Sequence, residues 1–287
     1  MSRLVSCVVL TMGNRPAMLS RAVGSLLEQS GVDVEVVVVG NGWEPVGLPD
    51  GVTAVGLPHN VGIPAGRNAG VAHTSGDVVL FLDDDAAVVG TDFLSRAVAL
   101  LDAHPDLGVL QARPIDPVTG ATPRSFVPRL RVGDPSRDSD IAALWEGTVV
   151  VRRDVFDAAG RWPEAYFYQH EGIEFAWRVI DAGYRVRYVG SLETLHDAKA
   201  PGRDPAYYRL QARHRVWLAR RNLPWVVAVV YLTDWFVLTL LRVHGRARLR
   251  EALGGWWDGF RRDCGPRRPV SWSAIARMAR AGRPPVL

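Results

Sequence analysis

The first half of the chain alternates short apolar runs with segments in which apolar residues recur at helical spacing. The runs have the length and apolar content of buried strands, and they cover residues 4–10, 34–39, 52–57 and 77–82. The helical patterns that separate and follow them cover residues 14–27, 64–73 and 91–101. Strands and helices that alternate in this order predict an α/β fold with a mainly parallel sheet covered by helices on both faces.

Farther along the chain the pattern loosens and then changes. The remaining strand-like runs cover residues 107–112, 144–151 and 185–189. Residues 114–140 between the first two runs are polar and contain prolines, which is typical of a loop that closes over a ligand. Ile173 to Ala182 has the pattern of an amphipathic helix, and from Tyr207 onward arginine, tryptophan and long apolar runs replace the alternation. We therefore expect one α/β domain over residues 1–203 and a helical C-terminal region over residues 204–287.

Composition narrows the classes of function. The chain has 287 residues and a formal net charge of +4, with a pI of about 9.4, and its Arg-rich last third indicates an anionic partner such as phosphate or acidic lipid. Lys199 is the only lysine, which excludes a P-loop NTPase because that loop ends in lysine. Cys7 and Cys264 are too few for a disulfide framework or a thiolate metal site. The N-terminal pattern is that of a strand and not of a signal peptide, so we expect a cytoplasmic protein.

Three consecutive aspartates, Asp83, Asp84 and Asp85, follow the predicted strand at 77–82. Carboxylates this close raise one another's pKa and oppose folding unless something compensates their charge. Hard oxygen ligands suit Mg²⁺ or Mn²⁺, which bind one or two carboxylates together with the phosphates of a substrate. Open α/β sheets bind ligands at the C-terminal ends of their strands. The pattern therefore indicates a divalent-cation site, and a solvated acidic turn that caps the next helix is the plain alternative.

Several segments, taken in order, resemble family 2 glycosyltransferases of the GT-A fold, which has a mixed, Rossmann-like sheet, and the likeness runs from about Leu4 to His196. Its segments in the first half are 8–11 with 14–16, 60–62 with 65–70, and 81–86. The last segment matches the D-x-D motif of that family. By this resemblance Asp83 lies near the ribose or base of a nucleotide sugar, and Asp85 holds the metal on its diphosphate.

The second half of the likeness covers the acceptor and the base. Glu146 and Gly147 resemble a small-residue segment beneath the acceptor site of the family, and Trp162 falls where the family places an acceptor-side loop. Residues 168–178 are similar to the family's E-D-x-D-L-x-x-R helix. His196 falls where many members supply a further metal or phosphate contact.

This resemblance implies a site with a donor side and an acceptor side. The residues implied on the donor side are Thr11, Asn14, Arg15, Asn41, Arg67, Asp83 and Asp84. Those implied on the acceptor side are Glu146, Gly147 and Trp162, with Asp85 and His196 as ligands of Mn²⁺ or Mg²⁺. It also divides the expected catalytic domain into a nucleotide-sugar half over about 1–112 and an acceptor half over about 113–203.

Two positions depart from the family pattern. Gly40 stands where the second strand usually ends in an aspartate that recognises the nucleoside, so UDP, dTDP and GDP sugars all stay open as donors. Gly172 stands where the catalytic helix usually carries its basic aspartate. The role of base then falls to Glu171 or Glu174, which lie three residues apart and so on roughly one helical face. Of the two we favour Glu171.

The predicted activity is a metal-dependent, inverting transfer of a sugar to an acceptor hydroxyl, with no nucleic-acid partner. The alcohol needs a base as it attacks, and the departing nucleoside diphosphate needs positive charge beside it. Two alternatives stay open. A sugar-nucleotide nucleotidyltransferase would need a Gly-rich basic loop directly after the first strand, which residues 11–15 match poorly. A non-catalytic nucleotide-sugar-binding or membrane scaffold stays open because the family's usual aspartates are missing at positions 40 and 172.

Residues 223–241 are apolar enough to raise the question of a membrane span. About ten strongly apolar residues at roughly −0.3 to −0.6 kcal/mol each are largely offset by Asp234 near the middle, at about +2.5 to +3.5 kcal/mol. An interfacial helix with flanking arginines on anionic lipid fits better. The partners that stay open for this region are the inner face of the plasma membrane, the catalytic domain itself, and a second subunit in a homodimer.

Overall fold

The computed structural model describes residues 3–197 and 204–286, which form one nine-stranded sheet and nine α-helices. The strands are β1 (Leu4–Thr11), β2 (Asp33–Asn41), β3 (Val52–Leu57), β4 (Val78–Asp83), β5 (Ala86–Val88), β6 (Leu107–Ile115), β7 (Ser139–Asp140), β8 (Thr148–Arg152) and β9 (Arg185–His196). The helices are α1 (Pro16–Leu27), α2 (Ile63–Val71), α3 (Phe93–Ala103), α4 (Arg153–Ala158), α5 (Glu171–Asp181), α6 (Pro205–Asn222), α7 (Trp225–Arg242), α8 (Arg246–Arg261) and α9 (Trp272–Arg280).

The sheet is mixed, and its parallel part comes from the first half of the chain. Its strand order is β3-β2-β1-β4-β8-β6-β9-β5, with β7 paired to β9. The first four strands in this order are parallel, and Val5 at the centre lies opposite both Val34 and Val78. Beyond β4 the chain reverses, because β8 is antiparallel to β4 and to β6, while β6 and β9 are parallel. The predicted α/β class, with a mixed sheet flanked by helices, is confirmed, and its parallel part is the first half of the chain.

Helices cover both faces of the sheet because successive strand residues point to opposite sides. On β4, Leu80 and Leu82 pack into one apolar cluster with α1 and α3, whereas Phe81 packs into the other with α4 and α5. Val8 and Val9 of β1 divide in the same way. The apolar runs of the parallel strands are therefore continuous, which is typical of strands buried on both faces.

Two predicted elements have different bounds in the structure. The strand expected over 144–151 begins only at Thr148, because Leu144 is buried in an irregular segment that leads into β8. The strand expected over 185–189 continues to His196, with shifts of register against β6 that let it bend. This extension carries His196 to the edge of the sheet where β4 ends, opposite Ala86.

Helix α5 begins earlier than its apolar pattern indicates. We expected it from Ile173, but its first helical residue is Glu171, preceded by Gln169 and His170 with φ of +71° each. Left-handed backbone at such residues is rare and re-aims the chain sharply. The turn therefore points the start of α5, and with it Glu171, towards the end of β4 and the start of β8.

The C-terminal helices pack against the sheet-bearing part of the chain and against each other. Leu218 of α6 and Met278 of α9 belong to the same buried apolar cluster as Phe81 of β4. Helix α8 lies close along α6, since a Cβ at Gly259 would come within 2.6 Å of the Cβ of Val216. Glycine at this position lets the two helix backbones approach.

Candidate functional site

Two carboxylates and one imidazole meet where β4 ends. Asp83 closes β4, Asp85 follows it, and His196 closes β9. One ligand atom from each of the three lies within 4.8 Å of the others. Two carboxylate oxygens and one imidazole nitrogen form a donor set that fits a divalent cation such as Mn²⁺ or Mg²⁺ with open positions for a substrate.

Asp85 and His196 already form an ion pair, with Nε2 of His196 at 3.3 Å from the carboxylate. Burial would raise the pKa of Asp85, but the hydrogen bond and charge of His196, together with the charge of Arg15, outweigh it and hold that pKa below its usual value. Burial likewise acts to lower the pKa of His196, and the contact with Asp85 reverses this into a rise. Asp85 is thus held ionised at neutral pH, as a metal ligand must be.

The middle aspartate of the cluster faces the opposite way. Asp84 is only 3% exposed, accepts a 2.6 Å hydrogen bond from the Thr11 hydroxyl and pairs with Arg15 at 3.1 Å. Arg15 also contacts Asp85. Burial raises the pKa of Asp84, against the opposing effect of the Thr11 hydrogen bond. Asp84 and Thr11 therefore fasten the end of β1 to the acidic turn instead of opening towards a ligand.

The two asparagines expected on the donor side differ in setting. Asn41 is buried at the end of β2, donates to Asn60 Oδ1 at 2.9 Å and accepts from the Val61 amide at 2.8 Å. It thereby holds the loop that leads into α2. Asn14 is exposed beside Arg15 at the start of α1, on the same edge of the sheet.

A buried arginine links the acidic cluster to the next strand. Arg67 of α2 is 2% exposed and donates from Nη2 to Asp83 Oδ1 at 2.7 Å and to the Glu146 carbonyl at 2.9 Å. Its guanidinium lies 5.2 Å from the centre of the Trp162 ring. Among the described residues its Nη1 has no hydrogen-bond partner. The cation is therefore fixed in place with donor capacity left for an anion.

Trp162, which the resemblance placed on the acceptor side, does not line the cavity that Asp83, Glu146 and Glu171 share. Its side chain is 1% exposed and packs edge-on against Phe81 and in a tilted contact with Phe175, with ring centres 5.2 Å and 4.6 Å away. A large aromatic at such spacing fills the core instead of meeting a ligand. Its place beneath Arg67 makes it a support for that guanidinium.

The Glu146 carboxylate lies directly against the backbone of Gly172. The Gly172 amide donates to Glu146 Oε1 at 2.8 Å, and a Cβ at position 172 would collide with that same oxygen. The Glu146 carboxylate therefore fills the space that a side chain at 172 would take. The following residue, Gly147, lies buried, and its carbonyl accepts from the Asp83 amide at 2.9 Å.

The two glutamates of α5 have different environments despite their spacing. Glu174 accepts hydrogen bonds from Tyr166 at 2.7 Å, from Asn222 at 2.6 Å and from Arg221 at 2.8 Å. These contacts outweigh burial and hold its pKa below the usual value. Glu174 thus ties α5 to α6 and has no free lone pair facing the cavity.

Glu171 instead lines the cavity together with Glu146. Its Oε2 is buried and has no hydrogen-bond partner among the described residues. Burial raises the pKa of Glu171, and burial followed by the charge of Glu171 raises the pKa of Glu146 to about 8. Two interacting carboxyl groups of this kind titrate as a pair, and one of them keeps its proton at neutral pH.

The cavity has a volume of about 590 Å³ and joins these parts. Asp83, His196, Glu146 and Glu171 all line it. Further lining residues come from the C-terminal region (Arg215, Tyr231, Trp235 and Arg283), from the 114–140 loop (Arg124) and from the segment before α5 (Tyr168). The sequence analysis expected the 114–140 loop beside a ligand, but it missed the C-terminal part of the lining and the pairing of Glu146 with Glu171, because both arise from contacts between distant segments.

Comparison with known proteins shows which family this chain belongs to. The family model "Glycosyl transferase family 2" matches residues 7–160. The pre-mycofactocin glycosyltransferase of Mycobacterium tuberculosis is 27% identical over 268 residues, which cover 83% of this chain and 53% of that protein. The O-antigen biosynthesis protein RfbC of Myxococcus xanthus is 24% identical over 250 residues. The chain spans 20% of that protein's length and about half the length of the mycobacterial relative.

Solved structures share the fold at low sequence identity. The structure of S. aureus TarS 1-349 in complex with UDP-GlcNAc superposes with a TM-score of 0.61 and 16% identity, covering 96% of this chain and 83% of that one. The mannosyltransferase PcManGT from Pyrobaculum calidifontis, in complex with GDP-Man and Mn²⁺, gives a TM-score of 0.57 and 18% identity, covering 100% and 78%. The GT-A fold expected from the sequence is thereby confirmed.

Proposed function

This chain belongs to glycosyl transferase family 2, and from that premise we propose that it moves a sugar from a nucleoside-diphosphate sugar to an acceptor hydroxyl, with inversion and with Mn²⁺ or Mg²⁺. One observation carries the proposal: Asp83 and His196, which form a cluster of possible metal ligands with Asp85, line the same cavity as the carboxyl pair Glu146 and Glu171. Positive charge for the leaving group and a base for the attacking group are the two demands of this reaction. The neighbour PcManGT, solved with GDP-Man and Mn²⁺, supports both the donor class and the metal.

The donor side of the proposal uses the residues at the carboxyl ends of β1, β2 and β4. Asp85 and His196, with Asp83, would hold the cation, and its charge would offset the negative charge on the departing diphosphate. Arg67 holds Asp83 in position and offers its free Nη1 to a phosphate oxygen. Asn14 and Arg15, both exposed on this edge, contact the nucleotide. Its base stays open among uracil, thymine and guanine.

The acceptor side uses the carboxyl pair. The acceptor oxygen attacks the anomeric carbon while its proton passes to the pair, with Glu171 as the receiving carboxylate and Glu146 beside it. The bond from that carbon to the diphosphate oxygen breaks in the same step, so the configuration inverts. Glu174 takes no part in this proton transfer because its oxygens are committed to Arg221, Asn222 and Tyr166.

A metal-dependence assay tests the proposal directly. Wild-type protein is expected to release nucleoside diphosphate from one of the UDP, dTDP or GDP sugars when Mn²⁺ or Mg²⁺ is present, and EDTA is expected to stop the release. Asp85→Ala is expected to lose at least a hundredfold in rate, since it removes a ligand and the partner of His196. Asp77→Asn is the matched control, because Asp77 precedes the opposite end of β4 and is exposed.

The same assay separates the alternatives. Full activity in EDTA, or in Asp85→Ala, would contradict the metal-dependent mechanism. A nucleotidyltransferase would release pyrophosphate from a nucleoside triphosphate instead of nucleoside diphosphate from a sugar. A scaffold would bind nucleotide in a thermal-shift assay with no turnover.

For the C-terminal region we favour a peripheral membrane contact, at the inner face of the plasma membrane, over a homodimer. Within the described residues, one helix, α7, is long and apolar enough to cross a membrane, judged by length and composition alone. Its mean hydropathy is 1.6, and only 17% of it is buried. Trp225, Val226 and Leu241 are each more than 60% exposed on it. An apolar face of this kind with arginines at its end suits the interface of an anionic bilayer.

Flotation with vesicles tests this contact. Vesicles containing phosphatidylglycerol are expected to carry the protein upward, and less so as salt rises. Val226→Asp combined with Leu241→Asp is expected to abolish flotation, whereas Val118→Asp, at an exposed loop position, serves as the control. A stable dimer in solution that the double variant dissociates, with no flotation of the wild type, would favour the homodimer instead.

A further inference from the structure

Three arginines on the C-terminal side of the cavity lack acidic partners. Arg215 lies on α6, Arg283 follows α9, and Arg124 lies in the 114–140 loop, and all three line the cavity. Within residues 3–197 and 204–286, none of the three forms an ion pair with an aspartate or glutamate. The groups that act on Arg215 are Tyr231, Arg283 and Tyr207, and those that act on Arg283 are Tyr231 and Arg124. The wall is therefore cationic without internal compensation.

The two inner guanidinium groups are held in place by neutral groups. Arg215 lies over the Trp235 ring at 3.3 Å from its centre, and Tyr231 acts to raise the pKa of Arg215. Arg283 donates to the Pro128 carbonyl at 3.4 Å. Stacking uses the face of a guanidinium and leaves its edge donors free, so these contacts fix the cations without satisfying them.

The surroundings of Arg215 and Arg283 destabilise the charged form of each guanidinium. Burial, and then the charge of Arg283, lower the pKa of Arg215. Burial and the charge of Arg124 act in the same direction on Arg283. A partly buried cation without a partner is costly, and like charges beside it add to the cost. An anion bound between them removes that cost.

We propose that Arg215 and Arg283, with Arg124 at the rim, bind a phosphate group of the acceptor. The inference rests on the proposed function, and it names the class of substrate: a hydroxylated acceptor that carries a phosphate monoester, diester or diphosphate. The acceptor hydroxyl then faces Glu146 and Glu171, and its phosphate faces the C-terminal wall of the same cavity. The donor diphosphate belongs to the separate cluster of Asp83, Asp85 and His196.

Inorganic pyrophosphate in EDTA is the first probe, because chelation leaves the acidic cluster unable to hold a diphosphate. It is expected to raise the melting temperature of the full chain and to bind measurably by calorimetry. Arg283→Gln and Arg215→Gln are each expected to weaken binding about ten- to hundredfold, the range for a lost charge-assisted contact. Arg280→Gln, an exposed residue of α9 with the same change of charge, is expected to bind as the wild type does.

Farnesyl diphosphate is the second probe and separates two sources of the phosphate. Binding at least tenfold tighter than that of pyrophosphate indicates a lipid-linked acceptor, and equal binding indicates a water-soluble one. Either result supports the phosphate site if the arginine variants lose it. Arg283→Gln is the safer variant for folding, since within the described residues it gives up only a long hydrogen bond to the Pro128 carbonyl. Arg215→Lys tests whether charge alone suffices.

Two results would overturn the phosphate site. One is pyrophosphate binding in EDTA that both glutamine variants retain at wild-type strength. The other is loss of UDP binding with Mn²⁺ in these variants, since the wall would then serve the donor. Failure of the proposed function looks different: no nucleotide sugar would release nucleoside diphosphate, while arginine-dependent pyrophosphate binding would persist.

Discussion

Replacing Glu174 by glutamine is expected to lower stability, and the same replacement at Glu171 is expected to lower activity. Glu174 is buried and joins α5 to α6 through Arg221 at 2.8 Å, Asn222 at 2.6 Å and Tyr166 at 2.7 Å. Removing one partner of a buried ion pair costs about 3–5 kcal/mol. Glutamine keeps one acceptor oxygen, so we expect the lower end, about 3 kcal/mol.

That loss converts into a shift of melting temperature. A change of 1 kcal/mol moves the midpoint by about 2–4 °C in a protein of this size class, so Glu174→Gln is expected to melt about 6–12 °C below the wild type. Glu171 has no ion pair among the described residues and sits beside another carboxyl group. Glu171→Gln is therefore expected to keep or slightly raise the melting temperature while slowing transfer about a hundredfold or more.

The assay pairs thermal unfolding by circular dichroism with nucleoside diphosphate release on the same preparations. Because Glu174 has a lowered pKa, its contribution to stability is present above its unfolded pKa near 4.5 and is lost as pH falls through the folded value. The gap between wild type and Glu174→Gln is thus expected to close in acid. A Glu174→Gln variant that melts with the wild type but is inactive would refute this reasoning and make Glu174 the base.

Three further predictions concern the cavity and its support. Gly172→Asp alone is expected to be inactive, because its side chain would collide with the Glu146 carboxylate. The double variant Glu146→Ala, Gly172→Asp is expected to transfer sugar at a rate within about tenfold of the wild type. Equal rates in the single and double variants would contradict the idea that the two side chains compete for one space. Trp162→Ala is expected to lower the free energy of unfolding in urea by about 3–5 kcal/mol, and unchanged stability with a raised acceptor KM would restore a stacking role. Glu146, with its pKa raised from 4.5 to about 8, stabilises the fold below pH 4.5 and loses that contribution as pH rises through 8, so stability is expected to fall over this range and Glu146→Gln to flatten the slope. The transfer rate is expected to rise with pH over the same range, because the pair of Glu146 and Glu171 loses its proton. The charged and titratable groups that face this pair are Arg67, Asp83 and Tyr168.

The parallel part of the sheet could be predicted because its signals are local. The apolar runs of β1, β2 and β4 and the helical spacing of α1 follow from a few neighbouring residues each. The reversed direction of β8 and its place beside β4 depend on pairing across 65 or more residues, such as Leu82 with Thr148. No local periodicity encodes such a register.

The candidate site divides in the same way. The acidic run at 83–85 is evident in the sequence, and its position after a buried strand predicted that it lies at the C-terminal end of the parallel strands. The separate environments of Glu171 and Glu174 could not be predicted, because Glu174 finds its partners on α6. Trp162 could not be placed either, since burial of an aromatic residue depends on its neighbours in the fold, here Phe81 and Phe175.

The apolar cluster that Leu218 and Met278 share with Phe81 bears on how this protein can be produced and dissected. A fragment that stops after β9 would leave the sheet face under α6 and α9 open to water, and would also lose Arg221 from the buried Glu174. Such a fragment is expected to aggregate in the cell or to be cleared by proteases. Fusion partners and tags are therefore best placed at the ends of the full chain. The role of the C-terminal helices is better tested by substituting single side chains than by deleting the helices.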